Sequence, residues 1–250
     1  IIFNSNWTKE QFLKNIDRFY HNSSKLMVIP QCINKKKVDF NKKEKLITFV
    51  GKLNSSKGYD IFCRSVIRIL KKHKNWRALV IGDEPREKIE YNHPNLIKLG
   101  FKKHDDVLKL LEKTSIAISC SRWEEPFGRS SLEAASRGCA SVVSNRGGLV
   151  ETITDGIILN KLSTNNLFYE IDNLIRRPKK LKELQLKSYK NFYLDNKFVS
   201  KKIDNYRNDL FNISNKNNKR LRILHVTNFN VRHNGRLFYN TGRRINNGLL

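Results

Sequence analysis

From Leu46 onward, short apolar runs alternate with longer stretches in which apolar residues recur at helical spacing. The runs are LITFV (46–50), RALVI (77–81), NLIKL (95–99), SIAIS (115–119), ASVVS (140–144) and GIIL (156–159). Nearly continuous apolar runs of this length suit strands covered on both faces, and the stretches between them suit crossover helices. GYDIFCRSVIRILKKH (58–73) sets Phe62, Val66 and Ile69 at i, i+4 and i+7 with Lys and Arg opposite, which predicts a helix lying on a sheet. DDVLKLLEKT (105–114) and GRSSLEAASRG (128–138) predict two more, the second rich in small residues and stopped at Gly138. The expected fold is α/β, a Rossmann-like parallel sheet with helices on both faces, followed by C-terminal helices.

After Asn160 the strand signals end. NNLFYEIDNLIRR (165–177), PKKLKELQLKSYKNFY (178–193) and FVSKKIDNYRNDLF (198–211) read as helices, with Pro178 placed to open the second. Ser214 to Lys219 has no apolar period and reads as a linker. Beyond it LRILHVTNFN (221–230) starts a new strand, followed by an Asn234-Gly235 turn and a helical pattern.

Composition changes this picture little. A chain of 250 residues with 39% apolar content can bury a core. Its 49 Lys and Arg against 23 Asp and Glu give +26, which favours phosphate-bearing partners: nucleic acid, anionic lipid or a phosphorylated ligand. The charge is scattered along the chain, as biased base composition would also produce. Cys32, Cys63, Cys120 and Cys139 form no CxxC pair and have no His at ligand spacing, so a reduced chain without structural zinc is expected. No apolar run approaches the ~18 residues of a spanning helix. The start IIFNSNWTKEQF has no signal-peptide layout and no initiator Met, and RRINNGLL stops inside a helical pattern, so both ends are expected to lie inside a longer chain.

The stretch from Glu124 to Glu133 joins the strand ending near Cys120 to the helix starting near Gly128. In an open parallel sheet, ligands bind beyond the carboxyl ends of the strands, where this loop must lie. Gly128 lets backbone approach a ligand, and the free N–H groups of Arg129 and Ser130 can hold a phosphate. Glu125 in the loop and Glu133 in the helix could grip hydroxyls at two ends of one ligand. A bare pair of glutamates reads as one solvated loop residue and one helix-surface residue; the Pro-Phe-Gly between them and the strand-loop-helix setting favour a site. A second feature follows the first strand: Gly51 ends it, and Lys52 and Lys57 precede a helix starting near Gly58, so two cations reach the same edge. The spacing is not that of a P-loop, and lysines in so basic a chain also read as solvated. Asn145 to Glu151 carries Gly147-Gly148, a plain turn or a ligand contact. Gly100 and Phe101 follow NLIKL; Phe101 is either core or beside a flat ring.

Together these residues resemble the donor domain of the GT-B glycosyltransferases of the large retaining family four, from about Val28 to about Phe211. The segments occur in family order: VIPQCIN, VGKLNSSKG, LGF, EPFGRSSLEA with its Glu-x7-Glu spacing, then the GG…E segment. The resemblance implies that Lys52 and Lys57 hold a diphosphate, that Glu133 bonds a ribose and Glu125 a sugar hydroxyl, that backbone near Phe127, Gly128 and Arg129 meets the sugar, and that Ser130 meets the phosphate. Gly51, Gly100 and Phe101 complete the implied donor site. The family commonly has Arg at the position of Lys52, and Lys has no bidentate fork. It also implies a retaining hexosyltransferase with a nucleoside diphosphate sugar as donor, no metal and no cofactor. The acceptor is a glycan or lipid-linked molecule held by the preceding domain.

The expected organisation is 1–27, the end of an N-terminal acceptor domain; 28–194, the donor domain; 195–213, a C-terminal helix; 214–219, a linker; and 220–250, the start of a second GT-B unit. The donor half by itself is expected to bind donor without efficient turnover. Localisation is expected to be cytoplasmic, with peripheral contact at the inner face of an anionic membrane as a further expectation. The alternative is a basic, non-catalytic module for nucleic acid or anionic membrane; it lacks a nucleic-acid motif and leaves the ordered donor residues unexplained. A dinucleotide-dependent oxidoreductase is disfavoured because no strand-loop-helix carries GxGxxG.

Overall fold

The chain opens with β1 (Ile2–Phe3), α1 (Asn6–Leu13) and β2 (Met27–Val28), and the two strands pair in parallel with Ile2 opposite Met27. The computed structural model describes residues 1–14, 26–87 and 90–216, without side chains for 213–216. It divides into two units, residues 1–202 and 203–250. The division falls 8 residues past the expected end of the donor domain (194) and inside the expected C-terminal helix.

All six expected strands form: β3 (Glu44–Val50), β4 (Arg77–Ile81), β5 (Leu96–Lys98), β6 (Thr114–Ser119), β7 (Ala140–Ser144) and β8 (Ile157–Leu159). Every pairing is parallel and the order is β5-β4-β3-β6-β7-β8. From β3 the chain builds outward to β5, returns to the other side of β3, and builds outward again to β8. The crossovers are α2 (Tyr59–Lys72), α3 (His104–Lys113) and α4 (Arg129–Ser136).

Alternation along the strands supplies both faces of the sheet. Ile47, Phe49, Ile116, Ile118, Ala140 and Val142 pack in one cluster with Phe62, Val66 and Ile69 of α2, the three residues read as its apolar face. Ile81 and Ala117 pack in the other, with Leu108 and Leu111 of α3 and Leu132, Ala134 and Ala135 of α4. Two of the small residues of α4, Ala134 and Ala135, are thus part of this core. Thr114, expected to end a helix, instead begins β6; its hydroxyl bonds Leu110 O at 2.9 Å and Thr48 Oγ1 at 2.7 Å, so one residue serves both elements.

Next come α5 (Thr164–Arg176), whose Asn166 N–H donates to the Ser163 hydroxyl at 3.1 Å, and α6 (Pro178–Asn191), with Pro178 in its first turn. The helix α7 (Asn196–Lys216) is the last among the described residues. It continues through Ser214, Asn215 and Lys216, which polarity alone had assigned to the linker; no Gly or Pro stands in that stretch to stop it. The rest of the expected linker and the whole expected second unit (220–250) lie outside the described residues. No helix among the described residues is long and apolar enough to cross a membrane.

Candidate functional site

The strand order reverses between β3 and β6, so their carboxyl ends flank the crevice that an open sheet of this kind offers a ligand. Two loops leave those ends: residues 51–58 after β3 and 120–128 after β6. They are bound tightly together. The Ser56 carbonyl accepts from Arg122 N at 2.8 Å, Trp123 N at 3.1 Å and the Ser121 hydroxyl at 3.1 Å. Gly58 has φ +71°, and a Cβ there would lie 1.9 Å from the Cys120 carbonyl oxygen, so only glycine lets the loops close. The Arg122 guanidinium donates to both Asp60 oxygens at 2.6 and 2.7 Å, and those bonds hold the Asp60 carboxyl below the ordinary carboxylate range.

This closure brings two expected site residues into contact. Lys57, from the loop after β3, pairs through Nζ with Oε1 of Glu125, from the loop after β6. Glu125 is buried while Lys57 is half-buried. Oε2 of Glu125 has no hydrogen-bond partner among the described residues. The Gly147-Gly148 pair backs this loop: Gly148 N donates to Glu125 O at 2.7 Å, and a Cβ on Gly147, at φ +57°, would stand 2.3 Å from that oxygen. The paired glycines are thus more than a plain turn.

Glu133 is only 6% exposed, so it is no ordinary helix-surface residue. Its Oε1 meets His104 Nε2 at 3.1 Å and Arg129 Nη2 at 3.4 Å. His104 opens α3 at this same sheet edge and was not singled out from sequence, where a lone histidine at a helix start carries no signal. At the start of α4, Ser131 is committed to structure, bonding Gly128 O at 2.9 Å and Thr152 Oγ1 at 2.5 Å. The neighbouring Ser130 hydroxyl has no partner among the described residues, and Arg129 is exposed. Phe127 is buried with Leu132, so its side chain is core and only its backbone can meet a ligand.

Lys52 is exposed and has no ion-pair partner among the described residues. The ends of β3, β4 and β5 lie side by side: Gly51 N donates to Ile81 O at 3.0 Å and Gly82 N to Gly100 O at 2.9 Å. Gly51 and Gly100 therefore share one edge with the loops above. Phe101 is 74% exposed, which resolves its two readings against the core. Among the described residues, no three or more His, Cys, Asp or Glu side chains gather as a metal-binding group.

Comparison with known proteins bears on the family and the fold. The model of the family "Glycosyl transferases group 1" matches residues 30–192. An uncharacterized glycosyltransferase of Methanocaldococcus jannaschii is 30% identical over 142 residues, 53% of this chain and 36% of that protein. A lipopolysaccharide core biosynthesis mannosyltransferase of Rhizobium leguminosarum is 30% identical over 122 residues, 44% of this chain and 34% of that protein. The chain thus matches about a third of the length of these relatives. Among solved structures, Anabaena HepE in complex with UDP-glucose superposes with a TM-score of 0.70 at 18% identity, over 84% of this chain and 63% of that one. A glycosyltransferase from Rickettsia africae gives 0.67 at 22% identity over 84% and 63%. These likenesses show the fold, that of GT-B glycosyltransferases, and the family model matches well over half of the residues. The chain belongs to the glycosyl transferases group 1 family.

Proposed function

We propose that this chain is the donor-binding half of a retaining, metal-independent hexosyltransferase that uses a nucleoside diphosphate sugar. The observation that carries the reading is the Lys57–Glu125 pair across the β3/β6 crevice, on the edge from which α4 also starts. Lys57 and the exposed Lys52 supply positive charge, and the first N–H groups of α4 point the same way as its dipole, toward an incoming phosphate. As the bond to the sugar breaks, charge gathers on the leaving diphosphate, and these cations and amides stabilise it without a bound ion. Glu133 accepts from the ribose and Glu125 from a sugar hydroxyl, with the diphosphate taking Lys57 from Glu125 as the donor enters. UDP-glucose, which the Anabaena neighbour holds, is the natural first probe. The acceptor, a glycan or a lipid-linked molecule, is read as belonging to the domain that precedes the sheet. The excess of basic residues suits peripheral contact with an anionic membrane.

In the complete protein, Glu125→Ala is expected to lower transfer from its nucleotide sugar at least ~100-fold with the fold intact. Transfer at the normal rate would overturn the site assignment. The anomeric configuration of the first-formed product, followed by NMR, tests retention.

A further inference from the structure

Neither Ser5 nor Glu151 has a part in the chemistry proposed above, yet both are tied to the loop that carries Glu125. Helix α1 has no acidic residue in its own first turn. The carboxylate its positive end attracts comes from Glu151, in the 3-10 turn Gly147–Thr152. Oε2 of Glu151 accepts from Asn6 N and Asn6 Nδ2, both at 2.8 Å, and Oε1 accepts from Trp7 N at 2.8 Å. Two backbone N–H groups that a helix start leaves unpaired are thereby satisfied from a position 144 or 145 residues away.

Ser5 fastens the same helix from its other side. Fully buried, its hydroxyl accepts from Thr8 N at 3.1 Å and donates to the Pro126 carbonyl at 2.6 Å. Gly148 fills the remaining gap: a Cβ there would lie 2.5 Å from Pro126 O and 2.8 Å from Ser5 Cβ. Consecutive carbonyls are therefore held from two directions, that of Glu125 by Gly148 N at 2.7 Å and that of Pro126 by Ser5. Glu151 links the two holders into a closed ring.

We propose that Ser5 and Glu151 are positioning residues, a latch through which the N-terminal segment sets the Glu125 loop. The proposal rests on the donor-site reading. Because the ring grips the backbone of Glu125 and Pro126, it governs the sugar end of the donor more than the nucleotide end, which falls to Glu133 in α4. Breaking it separates the two ends: binding of the nucleotide sugar weakens while binding of the bare nucleotide holds.

The test uses the 250-residue chain with UDP and UDP-glucose as probes. Glu151→Gln keeps the shape but removes the charge and turns an N–H toward the helix start; Ser5→Ala opens the ring from the opposite side. Amide hydrogen exchange at Trp7 is expected to quicken at least ~10-fold in Glu151→Gln. In both variants UDP-glucose affinity should fall about fivefold with UDP held within about twofold, and the double variant should be little worse than the weaker-binding single one. Unchanged exchange at Trp7, or equal losses for both nucleotides, would overturn the latch. Should the unaltered chain bind neither nucleotide, the donor-site reading itself fails, and exchange at Trp7 then decides the latch alone.

Discussion

The two ends of the sheet treat buried carboxylates differently. At the amino edge, where α2 finishes just before β4 begins, Asp172 of α5 is 3% exposed and surrounded by basic side chains. Lys72 reaches one of its oxygens at 2.9 Å, Arg176 the same one at 2.9 Å, and His73 the other at 2.7 Å. Burial works against its ionised form, but the hydrogen bonds from His73 and Lys72 and the charges of Lys72 and Arg176 together outweigh that and hold the carboxyl below its ordinary range. At the carboxyl edge, Glu125 has Lys57 on Oε1 and no partner among the described residues on Oε2. A saturated carboxylate fixes helices to one another. A half-saturated one, with Lys52 and the Ser130 hydroxyl on the same edge and both without partners among the described residues, still has bonds to offer a ligand.

The largest expected effect on stability lies at the saturated end. Asp172→Ala leaves three basic groups without their shared anion; because the lysine and arginine are half exposed and can rehydrate, the loss of stability should be about 2 kcal/mol, below that of a fully buried pair. Urea denaturation measures it, and UDP binding should not change. The sign with pH follows from the depressed pKa: the contribution is present above ~4, where an unfolded Asp is ionised, and is lost as pH falls through the lower folded value. Glu133→Ala should behave in the opposite sense. UDP affinity should drop about tenfold, with stability altered by less than ~1 kcal/mol, because Arg129 and His104 are each half exposed and recover solvent. If Glu133→Ala instead unfolds the chain as readily as Asp172→Ala while UDP still binds, the contrast between the two edges collapses.

The same contrast shows what can be read from residue order. The strands were legible because a sheet covered on both faces demands nearly unbroken apolar runs, and helices such as α2 because Phe62, Val66 and Ile69 repeat with the helical period. The shared edge of Lys57 and Glu125 followed from the alternation of strand and helix. Their direct contact, across 68 residues of chain, did not, since it depends on β6 returning beside β3. His104 was missed because its meaning lies in Glu133, on another helix. The backing role of Gly147-Gly148 and the hold of Glu151 on α1 were hidden for the same reason: each depends on distant backbone groups that no local pattern announces. At Ser214 to Lys216, polarity misled; a solvated helix needs no apolar stripe there, only the absence of a breaker.

Lys52 offers the finest test of the open edge. Its exposed ammonium is one point charge where related transferases are expected to place a forked guanidinium, and nothing among the described residues pairs with it. Lys52→Arg adds a planar donor pair able to bond two phosphate oxygens at once, at the entropic cost of ordering a second long side chain. The balance should tighten UDP binding about threefold, measured by calorimetry, and weaken its dependence on salt little, since the formal charge is unchanged. Because the side chain makes no ion pair among the described residues, stability should stay within ~0.5 kcal/mol of the parent. No gain in affinity, with Glu133→Ala still defective, would place the diphosphate on Lys57 and the start of α4 alone and leave Lys52 as a solvated residue of a basic chain.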